Sequence, residues 1–153
     1  MPQDIRLKRI AGNLLIMAQS GQYNFSRCLL RGEAEAAQLA CDAFVQAAMK
    51  VWFHLHKAYM PYYKWSFRAL RQLEGGEALA EKLSLLLLSD HREKKTAKIK
   101  AAIIEEVAED FIAAMQKENL TKASGSSLEE HAYSVNNHIT DAGIRNLNIF
   151  AGV

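Results

Sequence analysis

The sequence is poor in the residues that interrupt helices. Proline occurs only twice among 153 residues, at Pro2 and Pro61, and glycine only eight times. Half of the residues are apolar, and alanine and leucine, which favour helix, are frequent among them. Because breakers are scarce and apolar residues recur at alternating spacings of three and four, the sequence predicts an all-α fold. We expect a single up-and-down bundle of five to six helices over residues 1–153.

Long apolar runs and a large charge are also lacking. The most apolar segment, residues 83–88, is far shorter than the roughly 20 residues that span a bilayer. We therefore expect no membrane partner. The net charge of +2 is too small to indicate a nucleic-acid partner. The basic run at residues 91–100 contains no aromatic residue for base stacking, so we expect no nucleic acid there and interpret it as a solvated helix start.

Cysteine is scarce as well, and nothing at the start of the chain resembles a secretory signal. The opening ten residues are charged, and no apolar stretch follows them. Cys28 and Cys41 are therefore predicted to be free thiols, and the chain is predicted to be cytoplasmic.

The motifs of several enzyme classes are missing. A metal-dependent nucleotidyltransferase needs closely spaced carboxylates, commonly Asp-x-Asp, to hold the metal ions that bridge the phosphates. The five aspartates are Asp4, Asp42, Asp90, Asp110 and Asp141, and no two are near each other in sequence. No glutamate is followed three residues later by a histidine, and there is no Walker A loop. We predict no catalytic residue, no metal site and no cofactor for this chain. We interpret His54 and His56 as helix-edge residues, and His131 and His138 as surface or cap residues.

The apolar spacing divides the chain into helical segments. They are expected at about residues 4–20, 26–31, 33–60, 62–73, 77–88, 90–119 and 127–142. Residues 20–24 are interpreted as a turn and residues 122–127 as a flexible linker. Pro61 is expected to end the longest helix near Met60. Capping boxes are predicted at Asp90 with Glu93 and at Ser127. The apolar tail at 144–150 is expected to dock, and Ile99 is expected to face inward.

One short segment stands out as a candidate site. The string Tyr59-Met60-Pro61-Tyr62-Tyr63-Lys64-Trp65 holds four of the thirteen aromatic residues of the chain, and Arg68 lies one turn beyond Lys64. Cations beside aromatic rings can hold a phosphate, a carboxylate or a planar group. The alternative is that Trp65 and Tyr62 fill the core while Lys64 extends to solvent.

A second polar and aromatic cluster, Gln22-Tyr23-Asn24 with Arg27, is expected on a loop. It could bind a ligand, or its side chains could cap the flanking helices. We predict that Arg27 meets Tyr62, Lys64 and Arg68 in one partly exposed pocket.

Residues 22–70 resemble a family of bacterial helical domains of unknown function. The resemblance rests on Arg27, the long alanine-rich helix and the string from Tyr59 to Trp65. In that family the domain usually follows a nucleotidyltransferase domain of the kanamycin-nucleotidyltransferase, polymerase-beta-like type. The resemblance implies that Arg27, Tyr59, Pro61, Tyr62, Lys64 and Trp65 are the positions to carry over, and no catalytic role comes with them.

Two interpretations follow. In the first, the chain is the substrate-side or accessory helical half of a nucleotidyltransferase, whose catalytic domain lies upstream or on a separate chain and whose acceptor is a small molecule. In the second, it is a self-contained helical module for binding or for homodimer formation. The candidate ligand or partner residues are Tyr23, Arg27, Tyr59, Tyr62, Lys64, Trp65 and Arg68.

Overall fold

The computed structural model describes residues 1–153 and contains helices but no strand. The elements are α1 (Gln3–Met17), a π-helix (Ala18–Phe25), α2 (Ser26–Leu30), α3 (Ala34–Leu55), α4 (Tyr63–Gln72), α5 (Gly76–Leu88), α6 (Lys94–Lys117), α7 (Leu128–Asn137), α8 (Ala142–Arg145) and a 3-10 helix (Ile149–Gly152). Six of the α-helices have ten residues or more, so the predicted all-α class is confirmed. Thirty-six buried apolar residues form one core cluster. None of the helices is both long enough and apolar enough to cross a membrane.

Helix α1 is the centre of the bundle and packs against α3, α7 and the 3-10 helix. Its apolar positions Ile10, Leu14 and Met17 are fully buried, as their spacing predicts. The charged residues Arg6 and Lys8 are also almost fully buried, which the apolar pattern does not indicate. A buried charge is tolerated only when its hydrogen bonds are made, so these side chains mark the places where α1 holds other elements.

Lys8 and Asp4 attach the C-terminal part of the chain to α1. Lys8 Nζ donates to the backbone oxygens of Leu147 (2.6 Å) and Arg145 (3.2 Å). Asp4 accepts from the backbone N–H and the hydroxyl of Thr140, at 3.1 and 2.8 Å. A hydrogen bond from the Asp141 N–H, at 2.9 Å, and then the two from Thr140 lower the pKa of the Asp4 carboxyl. Asp4 lies in the first turn of α1, but it binds this distant segment and does not cap the helix, and Pro2 stands at the N-cap.

The predicted docking of the tail is confirmed, and a glycine makes room for it. The 3-10 helix lies on α1 at Gly12, where an added Cβ would be 2.7 Å from the backbone oxygen of Ile149.

The turn predicted at residues 20–24 is wrong, because the backbone continues from α1 as a π-helix. Gly21 lies directly against the fully buried ring of Phe44 on α3, where any Cβ would overlap the ring. Ser20 donates its hydroxyl to the backbone oxygen of Ile16 at 2.6 Å. Polar residues and a glycine were interpreted as a surface turn, but here they allow a close approach between two helices.

The prediction that α3 continues to Met60 is also wrong, since the helix ends at Leu55. The Ala58 N–H donates to the Phe53 oxygen at 2.9 Å, and the Lys57 N–H donates to the His54 oxygen at 3.1 Å. This is a Schellman ending with Lys57 in the left-handed position, at φ +53°. Glycine usually occupies that position, so the sequence gives no sign of the ending.

Arg6 supplies the stabilisation at this helix end. Its Nε donates to the backbone oxygen of His54 at 2.6 Å, and its Nη2 donates to that of Leu55 at 3.0 Å. The same Nη2 lies 3.1 Å from Glu118, and Nη1 donates to Gln3. A cation is favourable at the negative end of a helix dipole. Arg6 therefore stabilises the last turn of α3.

Neither predicted capping box forms. Glu93 and Ser127 are the N-cap residues of α6 and α7, but neither side chain makes a capping hydrogen bond. Asp90 pairs with Arg92 instead, which lowers the pKa of its carboxyl to about 2.

The basic run at residues 91–100 is not wholly solvated. Lys100 is fully buried, and its Nζ donates to His91 Nδ1 (2.7 Å), the Ser89 oxygen (3.2 Å) and Gln38 Oε1 (3.3 Å). Burial lowers the pKa of the Lys100 ammonium. Ile99, which was expected to face inward, is exposed instead. Ile99 and Lys100 are neighbours on the helix, so their side chains point in different directions. In its first turns α6 therefore buries a different face from the one that the sequence predicts.

The stretch predicted as a linker is held by two buried or half-buried side chains. His131 is fully buried, which corrects its interpretation as a surface or cap residue. Its Nε2 lies 2.7 Å from the Gly125 oxygen, and its Nδ1 lies 2.8 Å from the Thr121 hydroxyl. Gln22 donates to the Ser126 oxygen at 3.0 Å.

Candidate functional site

The aromatic–cationic segment, residues 57–71, lies on the surface where α3 gives way to α4. Its exposed aromatic side chains are Tyr59 (84% exposed), Tyr62 (67%), Tyr63 (68%) and Trp65 (52%). Its cations are Lys57, Lys64, Arg68 and Arg71, and it contains no acidic residue. The interpretation of Trp65 and Tyr62 as core residues does not agree with this exposure.

Local structure explains why these side chains face outward. Pro61 lies in the non-helical stretch before α4, whose first residue is Tyr63. Within α4, Ser66 and Leu70 are buried one turn apart, and the Ser66 hydroxyl donates to the Tyr63 oxygen at 2.9 Å. Since one face of α4 is fixed to the bundle, Trp65 remains on the opposite side.

Two of the four cation–aromatic pairs in the structure join predicted site residues, and these two are separate. Arg68 Cζ lies 5.0 Å from the ring centroid of Trp65, and Arg27 Cζ lies 4.7 Å from that of Tyr23. No hydrogen bond, ion pair or ring contact joins the two pairs. Three cavities have volumes of about 470 to 550 Å³, and none of these three is lined by Arg27, Lys64 or Arg68, nor by Tyr62.

The expected common pocket is not among these three cavities, and the packing of the helices agrees with this. Helix α4 packs mainly on α5, whereas the π-helix and α2 pack on α3. Tyr23 lines a cavity of its own, together with Gln22 and Glu105.

The sequence interpretation missed a second feature, which we call the cationic cavity. It has a volume of about 550 Å³ and lies between the start of α1 and the end of α3. Its charged side chains are all basic: Arg6, Arg9, Lys50 and Lys57, with His54 among them, and Met1 and Val153, the first and last residues of the sequence, also line it. No acidic side chain lines it. Tyr59 also lines the cavity, and so joins it to the aromatic–cationic segment.

The spacing of these residues shows two basic helix faces, but it does not show that the two faces meet. Arg6 and Arg9 are three residues apart on α1, and Lys50 and His54 are four apart on α3, so each pair shares a helix face. The two helices run in opposite directions, because the start of α1 meets the end of α3. Only this packing turns two ordinary basic faces into one cavity.

The cations of the cavity differ in how they are used. Arg6 is engaged at the end of α3, whereas Arg9, Lys50 and Lys57 form no ion pair or side-chain hydrogen bond. Burial, followed by the charges of Arg9, Arg6 and Lys50, lowers the pKa of His54. Burial alone would lower this pKa, and the basic lining residues add to the effect.

Comparison with protein families gives one match. Residues 1–66 match a family model. The family is described as a Domain of unknown function (DUF4037), and the match covers less than half of the chain. It includes Arg27, the string from Tyr59 to Trp65 and the cationic residues of the cavity. No curated protein and no solved structure matches the chain. The structure contains no cluster of three or more His, Cys, Asp or Glu side chains that could hold a metal ion.

Proposed function

We propose that this chain is a non-catalytic helical domain that works beside a bacterial nucleotidyltransferase catalytic domain in the cytoplasm. The catalytic domain, upstream or on a separate chain, would supply the metal ions and the nucleotide. This chain would contact it, or the small-molecule acceptor, through the aromatic–cationic segment. The proposal is supported by the family that residues 22–70 resemble. In that family the helical domain usually follows a nucleotidyltransferase catalytic domain.

The observation that carries the proposal is the exposure of the aromatic–cationic segment. Tyrosine, tryptophan and arginine are the residues that most often anchor protein interfaces, because they bury a large area with little loss of side-chain freedom. Trp65 with Arg68 is such an anchor, already arranged as a pair 5.0 Å apart. Since residues 57–71 hold four cations and no acid, the complementary surface would be acidic.

The first test is the coding sequence upstream of Met1, together with a binding measurement. A Gly-Ser turn followed by Asp-x-Asp in that sequence, or in a neighbouring gene, identifies the catalytic domain to be expressed. Calorimetry would then measure its affinity for this chain and for the double variant Lys64→Ala with Arg68→Ala. We expect the affinity to fall about tenfold or more, since charged anchor residues commonly contribute above 1 kcal/mol each.

The control for this test removes the same charge elsewhere. Lys94→Ala with Lys95→Ala changes two exposed lysines at the start of α6. It should leave the affinity within about twofold of the wild type, because rim or distant charges contribute little. Equal binding by wild type and the Lys64 and Arg68 variant would refute the role of the segment, and so would unfolding of that variant.

A second test concerns catalysis. We expect the chain alone to transfer no nucleotide from ATP or the other nucleoside triphosphates in the presence of Mg²⁺. Transfer by the purified chain that is abolished by changing one of its own carboxylates would contradict the non-catalytic role.

The competing candidate is a self-contained binding or dimerisation module. The same exposed rings favour it, because aromatic side chains that meet no other part of the chain could meet those of a second copy. Sedimentation equilibrium distinguishes the two. A dimer that Trp65→Ala dissociates would favour the module, whereas a monomer that binds the catalytic domain would favour the first proposal.

A further inference from the structure

We propose that the cationic cavity binds a small molecule that carries two negative charges, either on a phosphate ester or on the two groups of a dicarboxylate. The cavity overlaps the aromatic–cationic segment only at residues 57–60. Since the variants that test the proposed function, at Lys64 and Arg68, and those that test this site, at Arg9 and Lys50, lie outside the overlap, either proposal can fail without the other.

The first argument is the unbalanced charge. Arg9, Lys50 and Lys57 line one cavity without any ion pair, and no acidic side chain lines it. Like charges in a concave site repel each other more strongly than on an open surface, because less water screens them. The pKa of His54 is lowered first by burial and then by the charges of Arg9, Arg6 and Lys50. An anion in the cavity would relieve this repulsion.

The second argument is the geometry of the hydrogen-bond donors that line the cavity. Arg9 carries a planar guanidinium that can give two parallel N–H bonds to a phosphate or a carboxylate. Lys50 and Lys57 add compact ammonium groups from α3 and from the residues just after it. Arg6 contributes charge, but its donors are mainly committed to the helix end. The arrangement therefore suits an anion with two charges more than one with a single charge.

The third argument is the size of the cavity. A volume of about 550 Å³ lies within the usual range of small-molecule sites, roughly 300 to 1,000 Å³. A bare phosphate would occupy only a small part of it. Phe53 and Met60 form an apolar part of the wall, and Tyr59 stands at the edge with its ring mostly exposed. The ligand should therefore have an apolar or planar body attached to its anionic group.

Asn13 adds one observation about the body of the ligand. It is only 2% exposed, and its side-chain oxygen has no hydrogen-bond partner, while its nitrogen donates to the Arg9 oxygen at 2.9 Å. A buried acceptor without a donor is unusual. Phosphate dianions and dicarboxylates only accept hydrogen bonds, so this oxygen would pair with a hydroxyl or N–H group on the body of the ligand.

The experiment measures binding of four defined probes to the whole chain by isothermal titration calorimetry at low salt. Phenyl phosphate and succinate carry two charges, inorganic phosphate lacks a body, and benzoate has a planar body with one charge. We expect saturable binding of phenyl phosphate or succinate, with the better of the two at least about fivefold tighter than benzoate. Tighter binding of phenyl phosphate indicates a phosphate ester as the natural group, and tighter binding of succinate indicates a dicarboxylate.

The test variant is Arg9→Gln with Lys50→Gln. Both side chains lack partners in the structure, so we expect the variant to fold with an unchanged circular dichroism spectrum. Its affinity for the better probe should fall about tenfold or more. The control is Lys94→Gln with Lys95→Gln, which removes the same charge at the start of α6. The start of α6 lies beside the start of α3, because His91 contacts the Ala34 oxygen. The cavity lies at the other end of α3, so the control lysines are roughly 30 Å away from it along the helix.

Two results would overturn the proposal. The first is no saturable binding of phenyl phosphate or of succinate up to about 10 mM, which corresponds to less than about 3 kcal/mol of binding free energy. The second is an equal loss of affinity in the test and control variants, which would mean that only the overall charge attracts the probes. If the double variant proves unstable, Lys57→Gln alone serves the same purpose, since that side chain is exposed and should reduce the affinity about threefold or more.

Discussion

Arg6→Met should destabilise the protein strongly, because Arg6 closes the end of α3 from inside the bundle. The Leu55 oxygen has no hydrogen-bond donor other than Arg6 Nη2, at 3.0 Å. The His54 oxygen would keep the Lys57 N–H at 3.1 Å but would lose the bond from Arg6 Nε. Methionine keeps most of the apolar volume of arginine but donates nothing.

The size of the effect can be worked from these contacts. Leaving the Leu55 oxygen buried and unpaired costs about 1–3 kcal/mol, and losing the charge-assisted bond to the His54 oxygen adds about 1 kcal/mol. The pair with Glu118 adds little, because that carboxylate is 43% exposed and can be hydrated. We expect Arg6→Met to lower the free energy of unfolding by about 2–4 kcal/mol.

The assay is urea unfolding followed by circular dichroism at 222 nm, with the m-value compared between variants. Glu118→Gln is the matched control and should cost no more than about 1 kcal/mol, since it removes only the partly exposed partner of Arg6. If Arg6→Met lies within about 0.5 kcal/mol of the wild type, the end of α3 does not depend on Arg6, and the reasoning is refuted.

Three further changes have definite expected outcomes. Gly21→Ala should cost about 1–3 kcal/mol in the same assay, because its Cβ would overlap the buried ring of Phe44, and a neutral result would contradict the close approach of the π-helix. Lys57→Gly should stabilise the fold by about 0.5–1 kcal/mol, since glycine adopts the positive φ without strain, while it weakens probe binding in the cationic cavity. Cys41 is fully buried, and burial raises the pKa of its thiol to about 11, so Ellman's reagent at pH 8 should modify Cys41 only after unfolding; rapid modification of both cysteines in the native protein would contradict this.

The apolar residues predict most of the fold, because burial of apolar surface dominates its energy and leaves a periodic mark in the sequence. The seam of α3, from Ala37 to Leu55, is buried where spacing places it. Helix α5 and the break before it, where Gly75 has a φ of +71°, also match their prediction.

The errors concern polar side chains whose partners are far away in sequence. Asp4, Arg6 and Lys8 each bind residues 48 or more positions away, and local pattern contains no trace of those partners. Lys100 was interpreted as solvated for the same reason, although it is buried beneath His91. From a single sequence, a buried cation whose hydrogen bonds are all made cannot be distinguished from a cation on the surface.

The two surfaces of the candidate site also differ in whether the sequence alone predicts them. The aromatic–cationic segment could be found from the sequence, since tyrosines, a tryptophan and cations lie close together between residues 59 and 68. The cationic cavity could not, because Arg9 and Lys50 are 41 residues apart and meet only through the packing of α1 against α3. Residues that are contiguous in space but not in sequence need the tertiary structure.

The end of α3 connects the two surfaces. Arg6 fixes the last turn of α3, the left-handed Lys57 redirects the chain there, and Tyr59 then lies at the edge of the cavity and within the aromatic–cationic segment. Had α3 continued to Met60, as its sequence suggests, Lys57 and Tyr59 would be helical and the cavity would lose this part of its wall. A buried arginine that ends a helix early is therefore what positions both surfaces. A ligand in the cavity would contact the same few residues that present the segment to a partner.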